Sequence, residues 1–147
     1  MKIALGADHA GFELKEKIKA YLEEKGHQVL DLGCYSDQSV DYPVFGAKVA
    51  QSLLSGEAER GILICGTGLG MSMVANRFPG IRAALCHELF TTRMARLHND
   101  ANILVLGGRV LGDVLALEMV KVFLETPFEG GRHARRVEQI DALASKT

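Results

Sequence analysis

Short apolar runs alternate along this chain with longer stretches of helical period. Lys2–Gly6 reads as a strand, and Gly11–Lys25 as a helix with Leu14, Ile18 and Leu22 on one face and Lys15, Glu16, Lys19 and Glu23 elsewhere. Gly26 closes that helix as its C′ residue. The alternation continues through strand Val29–Leu32, helix Val44–Leu54 after Pro43, strand Gly61–Cys65 and a helix over Met71–Asn76 that ends before Pro79. It resumes with strand Ile81–Cys86, helix Glu88–Leu97, strand Asn102–Leu106 and helix Leu111–Leu124, which Thr126-Pro127 stops. Gly130-Gly131 then opens a last helix, from Arg132 to about Ser145.

Strict strand–helix alternation predicts parallel strands, right-handed crossovers and helices on both faces. The strands are nearly continuous apolar runs, as doubly covered strands are. The expected fold is a three-layer α/β sandwich around a five-stranded, doubly wound parallel sheet, one domain over residues 1–147 with no linker or repeat. In such folds ligands bind beyond the carboxyl ends of the strands. The residues there are Asp8, His9, Cys65 to Gly70, His87, Glu88 and Gly107 to Arg109.

Composition narrows the function classes. Hydrophobic residues make up 48% of 147 and the net charge is −1, which argues against disorder and gives no reason to expect nucleic acid. The nearly apolar stretch Gly61–Ala75 is too short and too rich in glycine to span a membrane. Met1–Gly6, followed at once by Asp8-His9, reads as a first strand and not as a signal peptide. Cys34, Cys65 and Cys86 form no C-x-x-C pair and no zinc pattern. Free thiols without an export signal predict the cytoplasm.

The most informative segment is Cys65-Gly66-Thr67-Gly68-Leu69-Gly70-Met71-Ser72. It sets a thiol at a strand end and a glycine turn before a helix start, whose unpaired N–H groups favour anions and thiolates. As a dinucleotide fingerprint it lacks the final glycine, since Met71 stands there, and it follows the third strand instead of the first. Glu88 nevertheless lies at a distance suited to a ribose. A phosphatase loop needs arginine where Met71 stands, and no P-loop lysine follows. What survives is an oxyanion or phosphate cradle with a thiol and a hydroxyl.

Other candidates each have a structural and a functional reading. Asp8-His9 is a helix cap with an incidental histidine, or lines the Cys65 crevice. His98-Asn99-Asp100 ends a helix, where a histidine cation suits the dipole or a proton carrier suits a sugar. Arg132 and Arg136 share a helix face, either solvated or clamping a phosphate together with backbone N–H groups. The opposite face, Val137, Ile140 and Ala144, is apolar and predicts docking on a second subunit. A base, a hydroxyl, an oxyanion cradle, a histidine and a phosphate clamp together suit proton abstraction beside a carbonyl, as in aldose–ketose isomerisation through an enediolate, with no metal required.

The chain resembles the type B ribose-5-phosphate isomerases, a family shared with the galactose-6-phosphate isomerase subunits. The matching segments are Gly6–Phe12, Asp41-Tyr42-Pro43, Gly61–Gly68, Gly80–Ala83, His98–Asn102, Gly107-Gly108-Arg109 and Glu129–His133. The resemblance implies that Cys65 shuttles the proton between C1 and C2, with Thr67 moving the hydroxyl proton. It implies that the backbone of Gly66, Gly68, Leu69 and Gly70 holds the enediolate oxygens. It further implies that His98 opens the furanose ring with help from Asp8, and that Tyr42 and Asn99 contact the sugar. His9, Arg109, Arg132 and Arg136 would hold the phosphate. No cofactor is implied, and the partners are a sugar phosphate and further copies of the chain, in a homodimer or homotetramer whose sites are shared between subunits. A hexose 6-phosphate (allose or galactose) remains the alternative substrate. A non-catalytic anion- or nucleotide-binding module is the alternative of a different class.

Overall fold

The computed structural model describes residues 1–144. The elements run β1 (Lys2–Ala7), α1 (Phe12–Glu24), β2 (Gln28–Asp31), α2 (Tyr42–Leu54), β3 (Arg60–Cys65), α3 (Leu69–Ala75), β4 (Ala83–Leu85), α4 (Leu89–Leu97), β5 (Ile103–Gly107), α5 (Asp113–Glu125) and α6 (Arg132–Leu143). The sheet has five strands in the order β2-β1-β3-β5-β4, every pairing parallel. The expected α/β sandwich is therefore observed. The expected helix end at Ser145 lies outside the described residues.

Alternation along the strands divides the core. Ile3, Leu5, Ile62, Ile64, Leu104 and Leu106 pack with Ile18, Leu22, Met119 and Phe123 of α1 and α5. Ala4, Leu63, Cys65, Ile103 and Val105 pack with Val49 and Ala50 of α2 and Met71 and Ala75 of α3. Cys65 thus points to the α2–α3 side of the sheet.

Several boundaries move for identifiable reasons. α2 starts at Tyr42 because Pro43 belongs to its first turn, where a missing N–H costs nothing. α3 starts at Leu69, two residues earlier than expected, because Gly68 turns the chain at φ +83 and passes directly into the helix. β4 is only three residues long. Its first residue, Ala83, exchanges both main-chain hydrogen bonds with the Asn76 side chain, at 2.8 and 3.0 Å. Glu88 caps α4, accepting from the N–H groups of Phe90 at 2.6 Å and Thr91 at 3.0 Å, which removes it as a ribose ligand.

Candidate active site

Because β1 and β3 are neighbours and chain order reverses between them, the crevice at their carboxyl ends is the switch point of the sheet. Three loops meet there at backbone distance. Gly108 N–H donates to the Cys65 carbonyl at 2.8 Å and Arg109 N–H to the Gly66 carbonyl at 2.9 Å. Asp8 N–H donates to the Ile64 carbonyl at 3.2 Å. A Cβ on Gly108 would come within 2.6 Å of the Ala10 carbonyl oxygen, and one on Gly107 within 2.8 Å of the Thr67 carbonyl oxygen. Such contacts explain why glycine stands at both positions. At Gly68 the left-handed φ of +83 favours glycine, and a Cβ there would also crowd the Leu106 carbonyl carbon at 3.2 Å.

Side chains gather on this frame. Cys65 is 5% exposed. Thr67 Oγ1 accepts from the Leu69 N–H at 3.2 Å, and the next amides of α3 have no intrahelical acceptor, as at any helix start. Asp8 is buried, and its Oδ1 accepts from the N–H groups of Ala10 at 3.0 Å and Gly11 at 3.1 Å. The helix cap position itself belongs to Gly11, so Asp8 stiffens the turn before α1 instead of capping it. His9 Nδ1 accepts from the Val40 N–H at 3.2 Å, which assigns any ring proton of the neutral form to Nε2. Arg109 lies over Gly66, its Nη1 3.5 Å from where a Cβ would stand. The Tyr42 ring covers Gly70, with Cζ 2.5 Å from the corresponding point. The structure thus brings together Asp8, His9, Tyr42, Cys65, Gly66, Thr67, Gly68, Leu69, Gly70 and Arg109.

Burial pushes the thiols of Cys34 and Cys86 above their ordinary pKa, so both stay protonated at neutral pH. Cys34 also donates to the Ser36 carbonyl at 3.2 Å.

His98, Asn99, Arg132 and Arg136 do not join this crevice within one chain. α4 runs back against the strands, so its C-cap, His98, lies before β5, whose far end pairs with Cys65. At about 3.3 Å per residue, the length of β5 separates the two groups by on the order of 15 Å. The four expected phosphate ligands divide in the same way, His9 and Arg109 at one end and Arg132 and Arg136 at the other.

The second group has its own construction, which the sequence did not disclose. Arg82 holds Asp141 of α6 through Nη1 at 3.0 and 3.1 Å, and from Nε and Nη2 it donates to the carbonyls of Asn99 and Asp100 at 2.9 to 3.2 Å. Arg96, 4% exposed, donates to Asp100 Oδ1 at 2.8 Å and to the Ala101 carbonyl at 2.7 Å. Together they fix Asp100 at φ +45, a strained value for a residue with a side chain. His98 stacks on His133 of α6, with centroids 4.1 Å apart and planes 10° apart. Glu129 approaches both imidazoles. Only the four-residue spacing of Glu129 and His133, and of Arg96 and Asp100, offered a signal for these pairs. α6 leaves Ile140 and Leu143 47% and 62% exposed. They line a groove of about 870 Å³ shared with Phe78, Pro79, Ile81 and Asn99. This groove lies at the amino end of the sheet, away from Cys65, and its apolar lining suits packing better than proton chemistry.

The fold is that of a sugar-phosphate isomerase family. The ribose/galactose isomerase model matches residues 3–140, and the chain belongs to that family. Ribose-5-phosphate isomerase B of Escherichia coli K12 is 48% identical over 145 residues, covering 99% of this chain and 97% of the relative. The 4-deoxy-4-sulfo-D-erythrose isomerase of Clostridium sp. MSTE9 is 47% identical, covering 99% of this chain and 92% of the relative. The solved structure of Clostridium thermocellum ribose-5-phosphate isomerase B superposes with a TM-score of 0.98 at 53% identity, over 99% of each chain. Among the described residues no helix is long and apolar enough to cross a membrane.

Proposed function

We propose that this chain is a cytoplasmic ribose-5-phosphate isomerase that interconverts the aldose and ketose forms through an enediolate. The observation that carries this reading is Cys65 itself, the one cysteine set in a glycine-walled crevice beside a hydroxyl, a carboxylate and an arginine. In the proposed cycle the Cys65 thiolate takes the proton from C2 of the open-chain aldose and returns it to C1. Thr67 relays the proton between the two oxygens, and the amides of the turn from Gly66 to Gly70 stabilise the oxygen charge as it develops. Asp8 and Tyr42 orient the sugar hydroxyls. The cycle draws on groups of the chain itself, so chelators should not lower the rate.

Ring opening and full phosphate binding fall to His98, Asn99, Arg132 and Arg136, which sit at the opposite end of the sheet. A second copy of the chain, docked through the apolar side of α6 and the groove beside it, would bring these residues to the Cys65 crevice of the first. The exposed Ile140 and Leu143 support that reading. The strand separation favours it too, because one chain cannot bring both groups to one sugar.

The five-carbon substrate is favoured by the names of the E. coli and C. thermocellum relatives, and the hexose phosphate alternative has less behind it. Two relatives of nearly equal identity carry different substrate names, so overall similarity does not set the sugar. Measuring kcat/KM for ribose, allose and galactose phosphates, with proton exchange at C2 followed in deuterated water, tests the reading. Exchange with ribose 5-phosphate that disappears in Cys65→Ala is expected. A chain that binds the sugar without exchange would be a binding module instead.

A further inference from the structure

The isomerase reading takes His98 from one cluster at the amino end and leaves its neighbours Glu129 and His133 without a role. His98 Nε2, the Glu129 carboxylate and His133 Nε2 face one another, with Glu129 oxygens 3.9 and 3.8 Å from the two nitrogens and the three ligand atoms within 4.8 Å of one another. None of these gaps is a hydrogen bond. His133 has a side chain only 7% exposed, yet its Nε2 is buried with no partner. A buried nitrogen in that condition is costly unless something fills the space before it.

We propose that His98, Glu129 and His133 form a binding site for a divalent transition metal, with zinc as the probe. Two imidazoles and a carboxylate select such ions over magnesium or calcium, and three protein ligands leave a fourth position for a solvent species. Tetrahedral zinc with bonds of about 2.0–2.1 Å sets its ligand atoms roughly 3.4 Å apart, so the cluster must contract by on the order of 1 Å. The buried His133 serves as the anchor. His98 and Glu129, with side chains 39% and 54% exposed, supply the movement. His98 has to tilt, because nearly parallel stacked rings aim their lone pairs side by side. Glu129 is already placed by its N–H, which donates to the Leu97 carbonyl at 3.0 Å. Arg132 and Arg136 oppose a cation. The Glu129 charge offsets part of that repulsion, and an anion in the fourth position offsets more.

The consequence for activity rests on the reading that His98 opens the sugar ring. An imidazole whose lone pair is on zinc cannot move a proton, so the metal acts as an inhibitor of the isomerase. The test is calorimetric titration of the chelator-treated full-length protein with zinc chloride, alongside the visible spectrum with cobalt(II). One equivalent per chain is expected, weakened at least about 10-fold in Glu129→Gln and in His133→Ala. Glu129→Gln alters a surface side chain, which guards against simple unfolding as the explanation. Cys65→Ser should leave both the stoichiometry and a thiolate-free cobalt spectrum intact. Absence of saturable binding, binding indifferent to both variants, or binding lost in Cys65→Ser would each overturn the site. Zinc that binds as expected without slowing ribose 5-phosphate turnover upholds the site and removes His98 from ring opening.

Discussion

The two ends of the sheet are built in opposite ways. At the carboxyl end, three loops are stitched by main-chain hydrogen bonds and close glycine contacts, and the reactive side chains rest on a frame with no room to shift. At the amino end, the contacts of the surface helix α6 include the Arg82–Asp141 pair and the His98–His133 stack, and Ile140 and Leu143 on its apolar face meet solvent. In the proposed reading the first is the cradle for a developing charge, and the second is completed by another chain. A rigid frame suits the step in which a proton moves between two carbons, because misplacement there is costly. A helix carrying a histidine and two arginines suits delivery to another chain.

Breaking the finished end should cost most. Cys65→Ala removes the proposed base and should lower kcat by about 10³-fold or more, with circular dichroism and melting unchanged. Retained activity would transfer the base to another residue. Breaking the delivered end should cost less. His98→Asn should reduce turnover of the closed-ring substrate by about 10²-fold, since a fraction of the sugar opens unaided. Gly70→Ala sharpens the contrast from inside the frame. Its Cβ would meet the Tyr42 ring at 2.5 Å, so the ring must leave the sugar site. A rise in KM of about 10-fold is expected, with a stability loss of about 1–3 kcal/mol from overpacking. An unchanged KM would remove Tyr42 from the site. Arg96→Met should barely touch the Cys65 crevice, but it strands Asp100 and the Ala101 carbonyl and should cost about 1–3 kcal/mol by chemical denaturation.

Acid stability adds a smaller effect, at the end of the edge strand β2. Burial alone would raise the Asp31 pKa, but Lys15, fully buried 2.8 Å away, and the Gly33 N–H more than offset it and hold it below the ordinary value. A depressed carboxylate contributes stability that is complete above the unfolded pKa of about 3.9 and lost as pH falls through the folded value. Asp31→Asn should therefore flatten the pH dependence of unfolding below about pH 4.

The same contrast explains what was legible in the sequence. Hydrophobic period and glycine punctuation reveal strands, helices and crossover direction, and the carboxyl-end crevice follows from these because its residues all sit where strands end and loops begin. Asp8, Cys65 and Arg109 fall at one end of the sheet on that reasoning alone. The strand order was not legible, since periodicity says nothing about which neighbour a strand chooses, and here β5 is inserted between β3 and β4. The Arg82–Asp141 clamp joins residues 59 apart in the chain, and no local pattern marks it. The stacking of His98 on His133 was hidden for the same reason. The division of the phosphate ligands between two ends needed only the direction of α4 and α6, but it takes the paired register of β3 and β5 to turn that direction into a distance.

The central claim is that each active site takes its base from one chain and its ring-opening histidine from another. Mixing two crippled proteins tests it directly: Cys65→Ala and His98→Asn, unfolded together and refolded. In a mixed dimer with shared sites, one site inherits both lesions and the other inherits none. Random pairing should then restore about a quarter of wild-type activity, while each variant refolded alone keeps no more than about a hundredth. A mixture as inactive as its parts, with mixed dimers demonstrated, would contradict the account and return both residues to a single chain.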